Sequence, residues 1–230
     1  HHAYVRRQRQ MCIRDSQQTA SSRLGFGASR TMQIAQKLYQ GIEIEGETIG
    51  LITYMRTDGT NLSKDAILAF RDYIKKEIGT DYLPESALNY SGKKAKNAQE
   101  AHEAIRPTDI IRTPQSVKKY LNPDQNKLYD LIWSRALSSQ MESAKFDRNT
   151  ITISSDNNDT VCRSSGSVLK FDGFLKIYSS PTKDDDDMLL PEMSKGLVNI
   201  ETLIDEQHFT QPPPRSVSYT HLTLPTNIGV

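Results

Sequence analysis

The chain has 230 residues, of which 36% are hydrophobic, 25% charged and 7% aromatic. This length fits one domain of ordinary size or two small ones, and the composition excludes wholesale disorder. No apolar run is long enough for a membrane-spanning helix, and two cysteines, Cys12 and Cys162, are too few for a disulfide framework or a four-thiolate zinc site. We therefore expect a soluble, intracellular protein.

The formal net charge is +1. Basic residues are in slight excess over 17–148, whereas acidic residues predominate over 149–215. Neither block is basic enough to indicate nucleic-acid binding by bulk charge, so any site for a polyanion must be a local cluster.

The two ends differ in pattern from the rest of the chain. Residues 1–16 and 216–230 have neither helical nor strand periodicity, and both resemble translated sequencing-adaptor sequence joined to a gene fragment. We therefore set both ends aside from the fold as artefacts. Two ordinary disordered tails are the alternative.

The region 17–146 is mostly helical in pattern. Its helices have one apolar face each, and polar or proline residues mark where they start. Between the first two helices, the segment IEIEGETIG (42–50) predicts a short hairpin with Gly46 in the turn. The predicted helices begin at the caps Ser29, Ser63 and Asn122-Pro123. The first helix is predicted to end at Gly41 and to turn Met32, Ala35, Leu38 and Tyr39 inward. A further short helix is predicted over 98–106.

After Phe146 the apolar period changes to two, which predicts strands. The strand-like segments are NTITIS, TVCRSS, SVLKFDGFLKIY and LVNIETLI, separated by Asp, Asn and Gly turns. The acidic run 184–187 is expected to be a solvated linker, and it lacks the ligand spacing of a calcium loop.

The segment GLITYMRTD (50–58) is the first candidate for chemistry. In an extended backbone, Tyr54, Arg56 and Asp58 share one side of the strand. A phenol is a weak nucleophile at neutral pH, a neighbouring cation favours its ionised form, and a guanidinium fits phosphate oxygens. This group suits attack on a phosphodiester. A packed tyrosine beside a surface ion pair is the alternative, since Tyr-x-Arg is common.

Two other segments offer cations to an anion. In AQEAHEAIRPTD, His102 and Arg106 are four residues apart and share a face if the segment is helical. In the helix beginning near Arg30, the N-terminal N–H groups, Arg30 and the Thr31 hydroxyl can meet a phosphate, and Lys37 follows. An ordinary surface pair and an ordinary amphipathic helix are the respective alternatives.

Taken together, these segments resemble the bacterial type IA DNA topoisomerase family. The likeness covers about 17–215 in order, through QQTASSRLGFGASRTMQIAQKLYQG, GLITYMRTDGTNLS, YLPES, AQEAHEAIRPTD, KLYDLIWSRALSSQM, LKFDGFLKIY and QHFTQPPPR. One departure is visible, because Gly59 stands where the family motif has serine.

The resemblance implies an α+β fold: a mostly helical, winged-helix-like domain over 17–146 that carries the tyrosine, followed by a β-rich partial strap (gate) domain over 147–215. It also implies roles for single residues. Tyr54 is the nucleophile that cuts one DNA strand as a 5′-phosphotyrosine ester, Arg56 holds the scissile phosphate, and His102 lies near that phosphate. Arg30, Lys37, Arg56 and Arg106 contact DNA, and for Arg106 stabilisation of its own segment is the alternative.

The resemblance further implies an ATP-independent isomerase that relaxes negative supercoils by passing the other strand through the gap. Its substrate is single-stranded or underwound DNA, and Mg²⁺ is bound by an N-terminal domain that we expect to be missing from this internal fragment, with no metal ligands in the fragment itself. We therefore expect the fragment alone to be inactive. The parent enzyme is expected to be a monomer without an obligate protein partner, cytoplasmic and nucleoid-associated.

Two other functions remain open. The first is a non-catalytic winged-helix module that binds DNA through Arg30, Lys37 and His102 while Tyr54 packs. The second is another tyrosine enzyme, a type IB enzyme or a tyrosine recombinase, which attaches to the 3′ phosphate.

Overall fold

The structure is a computed structural model of the chain. It describes residues 2–6, 11–90, 103–154, 161–178, 215–218 and 223–226, together with Gly196, Thr202, Gln207 and Phe209.

Five α-helices occur among the described residues, and they are joined by short turns and irregular segments. The π-helical turn Ile74–Ile78 extends the third helix, and short 3₁₀ turns occur at Thr80–Tyr82, Lys118–Tyr120 and Gly173–Lys176. The helices are α1 (Ile13–Leu24), α2 (Ala28–Gln40), α3 (Lys64–Tyr73), α4 (Pro114–Val117) and α5 (Pro123–Ser138).

Local capping explains where α3 and α5 begin. The Ser63 side chain accepts a hydrogen bond from the backbone N–H of Ala66. At α5, the Asn122 side chain accepts from the backbone N–H of Gln125, whose side chain accepts in return from the backbone of Asn122, with Pro123 in the first turn. These bonds satisfy N–H groups that the first helical turn leaves without a partner, so both predicted caps are confirmed.

The helix α2 differs from the sequence prediction at its start and in its buried face. Its N-cap is Gly27 rather than Ser29, while its end at Gly41 is confirmed. The buried residues are Thr31, Ile34, Ala35 and Leu38, whereas Tyr39 is exposed. The predicted inward position of Tyr39 is therefore wrong, because the face that packs is set by neighbouring helices and is rotated from the one that periodicity indicated.

Seven strands occur among the described residues, and every pairing with a recorded register is antiparallel. The hairpin predicted over 42–50 is confirmed, with Glu45 and Gly46 at positive φ in its turn. The strands are β1 (His2–Arg6), β2 (Ile42–Ile44), β3 (Glu47–Ile49), β4 (Ala144–Ser154), β5 (Val161–Phe171), β6 (Arg215–Ser218) and β7 (Thr223–Thr226).

Strand β4 is the centre of a three-stranded sheet with the order β1-β4-β5. It pairs with β5 from Lys145↔Phe171 to Ser154↔Val161. The predicted strand NTITIS is part of β4. Two predicted strands, TVCRSS from Val161 onwards and SVLKF, form one continuous strand, β5. The segment after Phe171 turns into 3₁₀ helix at Gly173–Lys176 rather than extending as predicted.

The chain divides into two compact units. One unit comprises His1–Val5, Lys145–Phe171 and Ser180–Val230, and the other comprises Arg6–Ala144 and Asp172–Ser179. Residues 11–16 belong to the second unit, where Met11 is buried and α1 begins at Ile13. The origin of the terminal sequences and the domain boundaries predicted at 16, 146 and 215 stay predictions.

The core of the second unit is centred on α5. Leu128, Ile132 and Leu137 are fully buried. The buried Tyr129 donates its hydroxyl to the carbonyl of Arg112 at 2.7 Å, and the indole N–H of Trp133 donates to the carbonyl of Ile110 at 3.0 Å. Large aromatic side chains thus fill the core while their polar atoms fasten the segment before α4.

The acidic run 184–187 lies outside the described residues, and so does the predicted strand LVNIETLI (197–204) except for Thr202. Within the described part of the chain, none of the helices combines the length and apolarity needed to cross a membrane.

Candidate active site

The segment that carries Tyr54 is irregular, with a bend at Met55 and Arg56, and its side chains alternate between core and solvent. Met55 and Thr57 are 1% exposed, whereas Tyr54 is 43% exposed and Arg56 and Asp58 are also exposed. The predicted alternation of exposure is therefore confirmed, whereas the strand predicted for this segment is not formed. The alternative of a packed tyrosine beside a surface ion pair stays an alternative, because more than half of the Tyr54 side chain is covered.

Hydrogen bonds to the segment 104–108 hold this segment in place. The backbone N–H of Thr53 donates to the carbonyl of Arg106 at 2.9 Å, and the N–H of Thr108 donates to the carbonyl of Leu51 at 3.0 Å. The Thr53 hydroxyl donates to the carbonyl of Ala104 at 2.9 Å and accepts from the N–H of Arg106 at 3.0 Å. The residue immediately before Tyr54 is thus fastened on both its backbone and its side chain.

Two further elements fix the ends of the segment. The N–H of Leu51 donates to the carbonyl of Leu38 in α2 at 2.8 Å, and the N–H of Ile13 at the start of α1 donates to the carbonyl of Thr57 at 2.8 Å. The backbone around Tyr54 is therefore anchored on both sides, so its side chain projects from a rigid support.

The ring of Tyr54 lies against the ring of Tyr39, which projects from the last turn of α2. The ring centroids are 5.4 Å apart and the planes meet at 66°, an edge-to-face arrangement. Periodicity placed Tyr39 in the core, and no pattern in the sequence indicated this contact.

A groove of about 610 Å³ lies between α2, the N-terminus of α5 and Arg56. Three of the four residues predicted to contact DNA, namely Arg30, Lys37 and Arg56, line it together. The other lining residues are largely polar, and they are Ser29, Met32, Gln33, Ile34, Gln36, Gln40, Asn122, Asp124 and Gln125.

One cation of the groove already has a carboxylate partner. An Nη atom of Arg30 lies 2.5 Å from a carboxylate oxygen of Asp124, and its guanidinium lies 4.8 Å from the ring centroid of Phe26. A phosphate that enters the groove must compete with Asp124 for Arg30. Asp124 is 94 positions from Arg30, and no sequence signal indicated the pair.

Thr31 of α2 was also predicted to meet a phosphate, but it does not line the groove. Thr31 is buried, and its hydroxyl donates to the carbonyl of Gly27 at 3.0 Å. The predicted phosphate contact of the Thr31 hydroxyl is therefore wrong, because the hydroxyl is used inside the first turn of the helix.

Residues 103–106 are extended, not helical, so the helix predicted over 98–106 is wrong for its described part. The N–H of Ala104 donates to the carbonyl of Asn61 at 2.8 Å, and the N–H of Ile105 donates to the carbonyl of Met11 at 2.9 Å. These partners in distant segments replace the local bonds of a helix. Arg106 is therefore not on a helix, so the helical face that it was predicted to share with His102 does not form. His102 itself lies outside the described residues.

Arg106 does not line the groove, and its side chain is only 15% exposed. Its Nε and Nη2 atoms donate to the two carboxylate oxygens of Glu103 at 2.6 and 3.0 Å, and Nη1 donates to the carbonyl of Pro107 at 2.8 Å. This geometry supports the alternative role, stabilisation of its own segment. The DNA contact of Arg106 stays a prediction.

Glu103 links this segment to α3, because its carboxylate also accepts from the backbone N–H of Ser63 at 2.8 Å. Partial burial opposes ionisation of Glu103, but the hydrogen bonds from Arg106 and Ser63 outweigh it. The pKa of Glu103 therefore lies below its ordinary value. Within the described residues, no group of three or more His, Cys, Asp or Glu side chains is arranged to hold a metal ion.

Comparison with known proteins agrees with the resemblance seen in the sequence. A family model described as DNA topoisomerase matches residues 7–224. A DNA topoisomerase 1 of Rickettsia felis is 49% identical over 203 residues, which is 86% of this chain and 26% of that protein. The corresponding protein of Xylella fastidiosa is 46% identical over 216 residues, covering 90% of this chain and 26% of its own length.

A solved structure also matches. Full-length topoisomerase I from Thermotoga maritima superimposes with a TM-score of 0.66 and 33% identity, over 87% of this chain and 30% of that chain. The α+β fold class and the resemblance to bacterial type IA topoisomerases are therefore confirmed, while the winged-helix character stays a prediction. The chain spans about a quarter of the length of the curated relatives that it matches. With its family model matched over most of its length, the chain belongs to the DNA topoisomerase family.

Proposed function

We propose that this chain is the tyrosine-bearing part of a type IA DNA topoisomerase, with Tyr54 as the nucleophile. The observation that carries the proposal is the half-exposed Tyr54 on a segment anchored at both ends, with the exposed Arg56 two positions later. The parent protein would cut one strand, pass the other strand through the gap and reseal the first, which relaxes negative supercoils.

Each step of the proposed reaction exchanges one phosphate ester bond for another. The phenol oxygen of Tyr54 bonds to phosphorus and loses its proton, while the bond from phosphorus to the 3′ oxygen breaks and that oxygen takes up a proton. The 5′ phosphate remains on Tyr54 as an ester, and the reverse attack by the 3′ hydroxyl reseals the strand without a nucleotide. Arg56 would hold the non-bridging oxygens as charge grows on them.

We assign the groove to the DNA strand that flanks the cut. Arg30, Lys37 and Arg56 would contact phosphates, and the amide side chains of α2 between them can donate to sugar and base oxygens. Each phosphate contact on a single strand lowers the slope of log K against log salt by about 0.7, so three contacts predict a slope near −2. His102 is proposed to lie near the scissile phosphate on the family resemblance alone, and Arg106 to hold the segment 103–108.

The wider activity of the parent protein is also part of the proposal. Its substrate would be single-stranded or underwound DNA, and it would act as a monomer near the nucleoid. Mg²⁺ is expected from the family, and the described residues offer no ligand cluster for it. The inactivity of the chain alone is tested with negatively supercoiled plasmid and Mg²⁺, where a ladder of relaxed topoisomers would contradict it.

Covalent capture of DNA tests the proposed nucleophile. This chain would replace its matching segment in the Rickettsia felis relative, and the chimera would be incubated with end-labelled single-stranded oligonucleotide and then denatured. We expect an adduct that maps to Tyr54 and carries the 5′ phosphate. Tyr54→Phe should remove the adduct and retain binding, whereas the control Tyr120→Phe, whose hydroxyl contacts Glu45, should leave it unchanged.

Other outcomes identify the competing functions. Binding without any adduct, or an adduct that persists in Tyr54→Phe, would favour the non-catalytic DNA-binding module or another nucleophile. An adduct on the 3′ phosphate would indicate a type IB enzyme or a tyrosine recombinase.

A further inference from the structure

The contact between Tyr39 and Tyr54 joins the proposed nucleophile to the last turn of α2. We propose that Tyr39 is a positioning residue that holds the Tyr54 ring in the orientation needed for attack on phosphorus, an inference that rests on the proposed function of Tyr54. Tyr39 does not touch the reacting atoms in this role. It acts through the ring of Tyr54.

The geometry of the two rings is the first support. Their centroids are 5.4 Å apart with an interplanar angle of 66°, within the range favoured by the ring quadrupoles. Tyr54 is 43% exposed and Tyr39 is 40% exposed. Part of each ring is therefore covered, and the edge-to-face contact lies on the covered part, where it limits the torsion angles that the Tyr54 ring can adopt.

The backbone brings these rings together, which is the second support. The N–H of Leu51 donates to the carbonyl of Leu38 at 2.8 Å, so the segment of Tyr54 is bonded to the turn of α2 that carries Tyr39. At Gly50, an added Cβ would lie 2.7 Å from the carbonyl oxygen of Tyr39. Only glycine permits this approach without a shift, because the atom in the way belongs to the backbone.

The position of the reacting oxygen follows from the ring torsions. The hydroxyl oxygen lies at the far end of the tyrosine ring, so rotation about the bonds near the backbone moves it by several ångströms. In-line attack on phosphorus tolerates little of that movement. A contact that narrows the range of ring orientations therefore raises the rate of ester formation without adding any contact to DNA.

Two substitutions at position 39 separate the ring from its hydroxyl. In the chimera described above, single-turnover adduct formation is measured at saturating oligonucleotide, and DNA affinity is measured by fluorescence anisotropy. Tyr39→Leu should slow adduct formation by about two- to tenfold, which corresponds to the usual strength of an aromatic pair. Its DNA affinity should stay within about twofold of the parent, and Tyr39→Phe should restore the parent rate.

The matched control is Tyr120→Leu, which removes a tyrosine ring outside this pair. An unchanged rate in Tyr39→Leu, an equal loss in Tyr120→Leu, or a change confined to DNA affinity would overturn the proposal. A failure of Tyr39→Phe to restore the rate would also overturn it, since the ring and not the hydroxyl is the proposed agent.

A measurement on the 230-residue chain itself does not depend on catalysis. With labelled tyrosine, the Tyr54 ring resonances are those missing from the Tyr54→Phe spectrum. They should show ring-to-ring Overhauser contacts with Tyr39 and should shift in Tyr39→Leu. Absence of these contacts would overturn the positioning role even if Tyr54 is the nucleophile. If the contacts are present but the chimera forms no adduct, the ring pair exists and only the proposed function is contradicted.

Discussion

Replacing Glu103 with glutamine should destabilise the unit that carries Tyr54. The carboxylate of Glu103 accepts two hydrogen bonds from Arg106 and one from the backbone N–H of Ser63. Glutamine has the same shape and can still accept from Ser63. It cannot form the paired bonds between a carboxylate and a guanidinium, so Arg106 loses its charged partner.

The size of the effect follows from the exposure of the two side chains. The side chain of Arg106 is 15% exposed and that of Glu103 is 27% exposed. In its exposure the pair is therefore intermediate between a surface ion pair and a buried one. Exposed pairs contribute up to about 1 kcal/mol, and breaking a fully buried pair costs about 3–5 kcal/mol. We therefore expect Glu103→Gln to lower the free energy of unfolding at neutral pH by about 1–3 kcal/mol.

The loss should depend on pH. Because the pKa of Glu103 is lower in the folded chain than in the unfolded chain, its charge stabilises the fold above the unfolded pKa. That contribution disappears as the pH falls through the folded pKa. The difference between the parent and Glu103→Gln should thus be full at neutral pH and shrink below about pH 4.

Urea unfolding followed by tryptophan fluorescence provides the assay. Trp133 is the single tryptophan of the chain and is buried in the same unit, so its emission reports on that unit. The control is Glu85→Gln at an exposed position. A midpoint for Glu103→Gln equal to that of the parent at neutral pH would refute the reasoning, as would a difference that persists in acid. A double mutant with Arg106→Gln should show a coupling between the two sites.

Three further substitutions test the groove and the fold. Asp124→Asn should tighten binding of a single-stranded oligonucleotide by up to about fivefold, because Arg30 loses its competing partner. Unchanged or weaker binding in fluorescence anisotropy would contradict this prediction. Lys37→Gln should make the salt slope of binding shallower by about 0.7, and an equal slope would remove Lys37 from the phosphate contacts. Gly173→Ala should lower the free energy of unfolding in urea by roughly 2 kcal/mol. Gly173 has φ +50°, and an added Cβ would lie 2.6 Å from the carbonyl oxygen of Glu142, so an unchanged midpoint would count against this close approach.

Features that depend on near neighbours in the chain could be predicted from the sequence. The caps at Ser63 and Asn122, the end of α2 at Gly41 and the turn at Gly46 were all recognised. The alternation of burial around Tyr54 was recognised as well. Each of these depends on hydrogen bonds or side-chain directions within about four residues, so the residue types at those positions are sufficient to indicate them.

Features that join distant segments needed the tertiary structure. The pairing of Arg30 with Asp124 is one such feature, and the extended backbone at Glu103 is another. The exposure of Tyr39 beside Tyr54 is a third. Their partners lie between 15 and 94 positions away, and which residues meet is decided by how the helices pack.

The sequence by itself therefore determined the family, the local elements and the residue that is proposed to attack DNA. The three-dimensional packing decided which side chains surround that residue, because contacts across the core depend on the summed burial of many residues and not on any single motif.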